Sequence, residues 1–205
     1  MKKLFFLVVC ALALVLTLSA CLDGGDGVTY DISDDGTYAT VVGYVGTDTK
    51  VEIADTYEGV PVVEIYEGAF QYKKIIKEVK IPDSVTSIGS SAFYQCSSLT
   101  SVVIGDSVTS IGDSAFFWCD NLTSVEIGNS VTSIGDYAFY NCYNLTSVEI
   151  PDSVTNIGDS AFYGCTGLTD VYYTGTAEQW QQISIGHSNS SLTSATIHYN
   201  YVPEN

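Results

Sequence analysis

The sequence predicts a β-dominated, right-handed solenoid of 23-residue repeats, with short helical turns and divergent ends. Three observations carry this. Apolar columns recur at one spacing without interruption from Ile65 to Tyr173: Val79, Val102, Val125, Val148 and Val171; Ile88, Ile111, Ile134 and Ile157; Phe93, Phe116, Phe139 and Phe162; Cys96, Cys119, Cys142 and Cys165; Leu99, Leu122, Leu145 and Leu168. Each unit holds a short alternating stretch, such as Val102-Val103-Ile104, followed by turn residues. Both ends break the period, as the ends of a stack must. One unit cannot bury its apolar face alone; stacked on copies of itself it can, with equivalent strands pairing in parallel at about 4.8 Å.

The first elements lie outside the solenoid. Lys2 and Lys3 precede the apolar run Leu4–Leu16, and Leu18-Ser19-Ala20-Cys21 follows. That order reads as a secretory signal peptide over residues 1–20. Its uncharged stretch, Leu4 to Ala20, is short for a membrane span of about 20 residues. Leu-Ser-Ala-Cys resembles the bacterial lipobox. The resemblance implies that the Cys21 thiol receives a diacylglycerol and that Cys21 becomes the first residue of the mature chain. Each acyl CH₂ buried in a bilayer contributes about 0.8 kcal/mol, so the chains together hold a protein at the membrane. Residues 21–27 then form the lipidated Cys and a glycine-rich tether.

Residues 28–205 form the solenoid, with a hairpin cap over 28–50, repeats over 51–173 and a C-terminal cap over 174–205. In the cap, Val28–Ile32 and Tyr38–Val45 flank the turn Ser33-Asp34-Asp35-Gly36-Thr37. Val51 and Ile53 open an imperfect repeat with a loop around Tyr57-Glu58-Gly59-Val60-Pro61. In a regular unit, Val102 and Ile104 face inward and Gly105-Asp106-Ser107 turns the chain. Val108 and Ile111 form a second inward pair. Asp113 then caps a short helical turn, Ser114 to Trp118, with Ala115 and Phe116 toward the core. At the far end, Thr176-Ala177-Glu178-Gln179 has the form of a capping box opening a helix through Gln182, with Trp180 on its buried side. Gly186 to Ser191 reads as a polar loop. Leu192, Ala195 and Ile197 restate the Leu, Val and Ile columns, and Tyr199 and Tyr201 complete an edge strand.

Composition narrows the function. The net charge is −17, and removing residues 1–20 leaves five lysines and no arginine against 24 acidic residues. This argues against nucleic acid or anionic headgroups as partners. Lys73, Lys74, Lys77 and Lys80 form the basic patch. The four periodic Cys would form a ladder of parallel side chains, which cannot converge tetrahedrally on zinc and whose Cβ vectors oppose disulfides. They read as small buried hydrophobes. Asp83, Asp106, Asn129 and Asp152, with Asp113, Asp136 and Asp159 nearby, read as turn and cap residues, with calcium the alternative. Catalysis finds little footing: His187 and His198 are the only histidines, and no nucleophile or phosphate-loop motif is present. No cofactor is expected. The column Tyr94, Phe117, Tyr140 and Tyr163, with Trp118 beside it, is either the outer wall of the core or a strip that stacks sugars or binds protein.

Leu145 to Cys165 reads Leu-x-x-Val-x-Ile-Pro-x-Ser-Val-Thr-x-Ile-Gly-x-x-Ala-Phe-x-x-Cys. This resembles the BspA-type (Treponema-type) leucine-rich repeat, and the stretch from Val171 to Trp180 resembles the family's usual terminus. The resemblance covers about Val28 to Tyr201. It implies a secreted or surface-attached bacterial protein acting in adhesion or binding, without naming a ligand. The expected function is therefore a lipid-anchored surface protein that binds a host or bacterial surface protein or a glycan; the alternative is an envelope scaffold without a specific ligand. Side chains alternate along a strand, so the outward row Lys80, Val103, Glu126, Glu149 and Tyr172 is the expected partner surface. The anchor is directly testable. Cys21→Ser should abolish palmitate labelling and release the protein from the membrane fraction or leave it unprocessed; a labelled, membrane-bound variant refutes the lipobox reading.

Overall fold

The structure is a computed structural model that describes residues 27–203. The expected signal peptide, Cys21 and the tether up to residue 26 lie outside the described residues. Each regular repeat supplies one longer and one two-residue strand. The longer strands are Glu78–Ile81, Ser101–Ile104, Ser124–Glu126, Ser147–Ile150 and Asp170–Tyr173. They pair in parallel and in register, placing Val79, Val102, Val125, Val148 and Val171 side by side. Lys50–Glu52 and Thr196–His198 complete this seven-stranded sheet at its two ends. The short strands Ser87–Ile88, Ser110–Ile111, Ser133–Ile134 and Asn156–Ile157 form the middle of a second, nine-stranded sheet. The expected hairpin, Val28–Ile32 with Ala39–Tyr44, lies at its N-terminal end.

The third side of each turn departs from expectation. No helix forms between Asp113 and Trp118; the segment is a run of turns in which Ser114 and Trp118 take left-handed φ values of 56° and 55°. Alternate amides do different work. Ala92, Tyr94 and Cys96 donate to Gly89, Ser91 and Phe93 within their own repeat, at 3.3, 3.0 and 3.2 Å. Ser91, Phe93 and Gln95 donate to Asp113, Ala115 and Phe117 of the next repeat, at 2.8, 2.7 and 2.7 Å. Asp113 does not cap its own turn. Its Oδ1 accepts the amide of Asp136 at 2.9 Å, and Asp136 does the same for Asp159 at 2.7 Å. Asp83 and Asp106 likewise accept from Asp106 and Asn129. The threonine columns add rungs: both N and Oγ1 of Thr123 donate to the Thr100 carbonyl, each at 2.9 Å.

Between the three sides lies a continuous apolar core. Phe93, Phe116, Phe139 and Phe162 are fully buried and stack in one column, with centroids 5.1, 5.2 and 5.1 Å apart. Phe70 extends the column at 4.8 Å. Cys96, Cys119, Cys142 and Cys165 are free, buried thiols, and each Sγ donates to the carbonyl of a Phe in the preceding repeat, at 3.0 to 3.3 Å. Burial pushes the Cys96 thiol up to about 12 and those of Cys119 and Cys142 well above the usual thiol value. Glycine follows Ile in each short strand because the stacked backbones touch there: a Cβ on Gly112 would lie 2.6 Å from the Ser90 nitrogen.

The two ends depart furthest from expectation. Around Tyr57 the five extra residues form a hairpin, Thr56–Tyr57 against Val60–Ile65, turning through Glu58 and Gly59 at φ 48° and 85°. The Thr176 capping box is present, but its helix stops at Trp180, whose ring meets Tyr173 edge-on at 5.1 Å. The expected polar loop gives way to a helix at Ser190–Ser194, anchored by buried Leu192. Ile197, not Ala195, takes the Val column opposite Val171, and Tyr199 and Tyr201 fall beyond the strand. Asn189 replaces the missing next repeat: its Oδ1 accepts the Phe162 amide at 2.9 Å, while its Nδ2 donates to Gly158 and Gly186. In this stack Phe139 has an aromatic neighbour on both sides. Phe139→Ala should cost about 3–5 kcal/mol in denaturant unfolding, and Tyr199→Ala clearly less; equal losses would contradict a nearest-neighbour stack.

Candidate functional site

In the seven-stranded sheet the first and third residues of each strand face outward. Parallel register brings Lys80, Val103, Glu126, Glu149 and Tyr172 into one row. Two further members were missed from sequence: Glu52 beside Lys80 and His198 beside Tyr172. Their spacings are 28 and 26 residues, so a search at a fixed 23 passes over them. The neighbouring outward row is Lys50, Glu78, Ser101, Ser124, Ser147, Asp170 and Thr196. Lys80, Val103 and Glu126 are exposed, whereas Glu149 and Tyr172 are half-buried.

The half-burial comes from the C-terminal segment crossing the row. Tyr201 is held by its amide to the Tyr173 carbonyl at 3.0 Å, and its hydroxyl donates to Glu149 Oε1 at 3.2 Å. The Tyr172 ring lies between His198 and Tyr201, each 4.8 Å away. His198 Nε2 meets Asp170 Oδ1 at 2.7 Å, and this contact, with Thr169, holds the Asp170 carboxyl below its usual range. Burial raises the proton affinity of Glu149, Glu126 adds to the rise, and the Tyr201 hydroxyl opposes it. At the row is a concavity of about 230 Å³ lined by Asp83, Val103, Asp106, Glu126, Glu149 and Pro203, among others.

The aromatic column is on the turn side, well away from this row. Tyr94, Phe117, Tyr140 and Tyr163 stack face to face, 5.0, 4.7 and 5.0 Å apart and within 16° of parallel. Phe117 and Tyr140 thus have both faces covered by their neighbours, whereas Tyr163, at the end of the column, is exposed.

The sequence profile of the BspA-type leucine-rich repeat region matches residues 63–200 in six copies. The chain belongs to the BspA-type leucine-rich repeat family. Among solved structures of similar proteins, the Treponema pallidum leucine-rich repeat protein is 30% identical, with a TM-score of 0.69 over 73% of this chain and 70% of that one. A leucine-rich cell surface protein of Faecalibacterium prausnitzii is 31% identical, with a TM-score of 0.64 over 87% of this chain. This chain spans only 54% of that protein. Comparison with curated protein sequences finds no match. The family's solenoid is an interaction scaffold of bacterial-surface type, typically without catalytic activity.

The electrostatics of Glu149 give a signed expectation. A carboxyl whose folded pKa is raised costs stability that is fully present above that pKa and vanishes below the unfolded value, about 4.3. Glu149→Gln keeps an acceptor for Tyr201 and removes the charge. Its melting temperature should exceed the wild type's at pH 7, and the gap should close as pH falls below about 4. A gap that widens on acidification contradicts this reading.

Proposed function

We propose that the protein is a cell-surface binding or adhesion protein, lipid-anchored through Cys21, that recognises a protein or glycan partner through the outward row of its seven-stranded sheet. One observation carries the choice of face. The inward columns of this sheet repeat Val and Ile, while the row reads Glu52, Lys80, Val103, Glu126, Glu149, Tyr172 and His198 along the same rigid strands. Stacking alone would be satisfied by small polar residues, as Ser101, Ser124 and Ser147 satisfy it in the next row. Instead Glu126 and Glu149 stand directly side by side, an arrangement that costs stability. Neither takes part in an ion pair among the described residues, where the only pairs are Lys50–Glu52 and His198–Asp170.

The open part of the row, Lys80 to Glu126, is where charge reversal is cleanest. Glu126→Lys should weaken adhesion of cells bearing the protein to surfaces coated with matrix proteins or glycans, without lowering the melting temperature. The difference should fade as salt rises, because exposed charges are screened beyond about 8–10 Å. Unchanged adhesion at low salt would rule out this face.

A further inference from the structure

On the turn side, five equivalent positions share a left-handed backbone: Tyr72, Gln95, Trp118, Asn141 and Gly164, at φ 62°, 55°, 55°, 57° and 74°. The geometry is imposed by the turns, and glycine or asparagine answers it at little cost, as positions 141 and 164 show. Tyr72, Gln95 and Trp118 hold the same backbone without that ease, and Trp118 is the bulkiest of them. Burial does not compensate, since Trp118 is 40% exposed. Its ring is tilted 54° to Phe117 and is not part of the stacked wall. The largest side chain of the column thus stands in a backbone conformation that does not favour it, with much of its indole open to solvent.

What surrounds Trp118 indicates a use for the open indole. It borders a pocket of about 160 Å³ whose other lining residues are Lys74, Gln95, Ser97 and Asp120. These come from three successive repeats, so the stack fixes their relative positions. Ser97 and Asp120 are half-buried, and the Asn121 amide clamps the Ser97 carbonyl at 2.7 Å, setting that wall. No hydrogen bond or ion pair among the described residues engages the side chains of Lys74, Gln95, Ser97 or Asp120. Burial also raises the proton affinity of Asp120. One aromatic ring with a ring of unengaged donors and acceptors suits a small polyhydroxylated ligand: the indole meets its C–H face, and the ammonium, amide, hydroxyl and carboxyl meet its hydroxyls. The volume falls below the roughly 300–1,000 Å³ of drug-sized pockets and has room for a single sugar ring. A protein partner would require more apolar lining than one side chain.

We propose that Trp118, with Lys74, Gln95, Ser97 and Asp120 around it, is a binding subsite for one pyranose unit of a glycan. It lies on a different side of the solenoid from the outward strand row and does not depend on that row having a partner.

The test uses the full chain in a detergent without sugar headgroups, applied to a printed array of glucose-, galactose-, mannose- and N-acetylglucosamine-terminated oligosaccharides. The best-retained oligosaccharide is then titrated calorimetrically. Trp118→Gly removes the indole and relaxes the left-handed position, so misfolding cannot explain a loss. The expected result is retention of at least one sugar class, weakened about tenfold or more in Trp118→Gly. The melting temperature of that variant should be equal to or above the wild type's. Trp180→Phe should bind as wild type. The proposal is overturned if no sugar is retained or if Trp118→Gly binds as well as wild type.

Discussion

The whole structure answers one demand: each turn of chain leaves backbone N–H and C=O groups facing its neighbours, and every buried one must find a partner there. In a helix the partner is four residues away; here, along both sheets and for every other amide of the turn side, it is about 23 away. The repeat length is therefore fixed by hydrogen bonding as firmly as by the phenylalanine column. The recurring minor residues of the repeat follow from the same demand. Threonine adds a second donor to a carbonyl already used by its own amide. Aspartate gives the next repeat an acceptor where the turn has none. Cysteine places a weak donor on a buried phenylalanine carbonyl, where a larger side chain would collide.

Much of this was legible before any coordinates. The Val, Ile, Phe, Cys and Leu columns needed only counting, and they lie where counting put them. The errors share one cause. Asp113 before Ser114-Ala115-Phe116 has the form of a local cap, because a cap and a ladder acceptor both require a short carboxylate next to a turn. The sequence cannot say whether the accepted amide is three residues away or 23. Likewise Glu52 and His198 belong to the outward row, but an insertion and a slipped cap hide them from a fixed spacing. The left-handed backbone at Trp118 did leave a trace: Asn141 and Gly164 occupy the equivalent places, and both residue types favour that conformation.

The three sides of the solenoid have separate chemistries. One sheet faces outward with hydroxyls, such as Thr109, Thr132 and Thr155, whose Oγ1 atoms are committed to the ladder. The other carries the charged row and, at one end, the crossing of Tyr201. The turn side carries the rings. A solenoid can vary one side without disturbing the others because the core columns belong to all three. Recognition can therefore be distributed over faces that never meet, and more than one ligand can be held at once.

The turn side also has a direction. From Gly68 to Ser160, the main-chain hydrogen bonds that link its turn residues run the same way, with the N–H toward the C-terminal end and the C=O toward the N-terminal end, and the Phe162 amide continues them onto Asn189. In the two parallel sheets alternate residues face opposite neighbours, and their peptide dipoles largely cancel. On the turn side they add, up to three bonds at each interface, as they do along an α-helix. The solenoid thus behaves as a bar with a negative pole at its first repeat and a positive pole at its last. The chain is charged to match. Lys73 and Lys74, from a sequence with very few cations, sit in the turn segment at the negative pole, while the positive pole is met by the His187 carbonyl and the Asn189 amide oxygen. Adding repeats would move the poles apart without changing what each requires, so a family that varies in length can keep the same pair of ends.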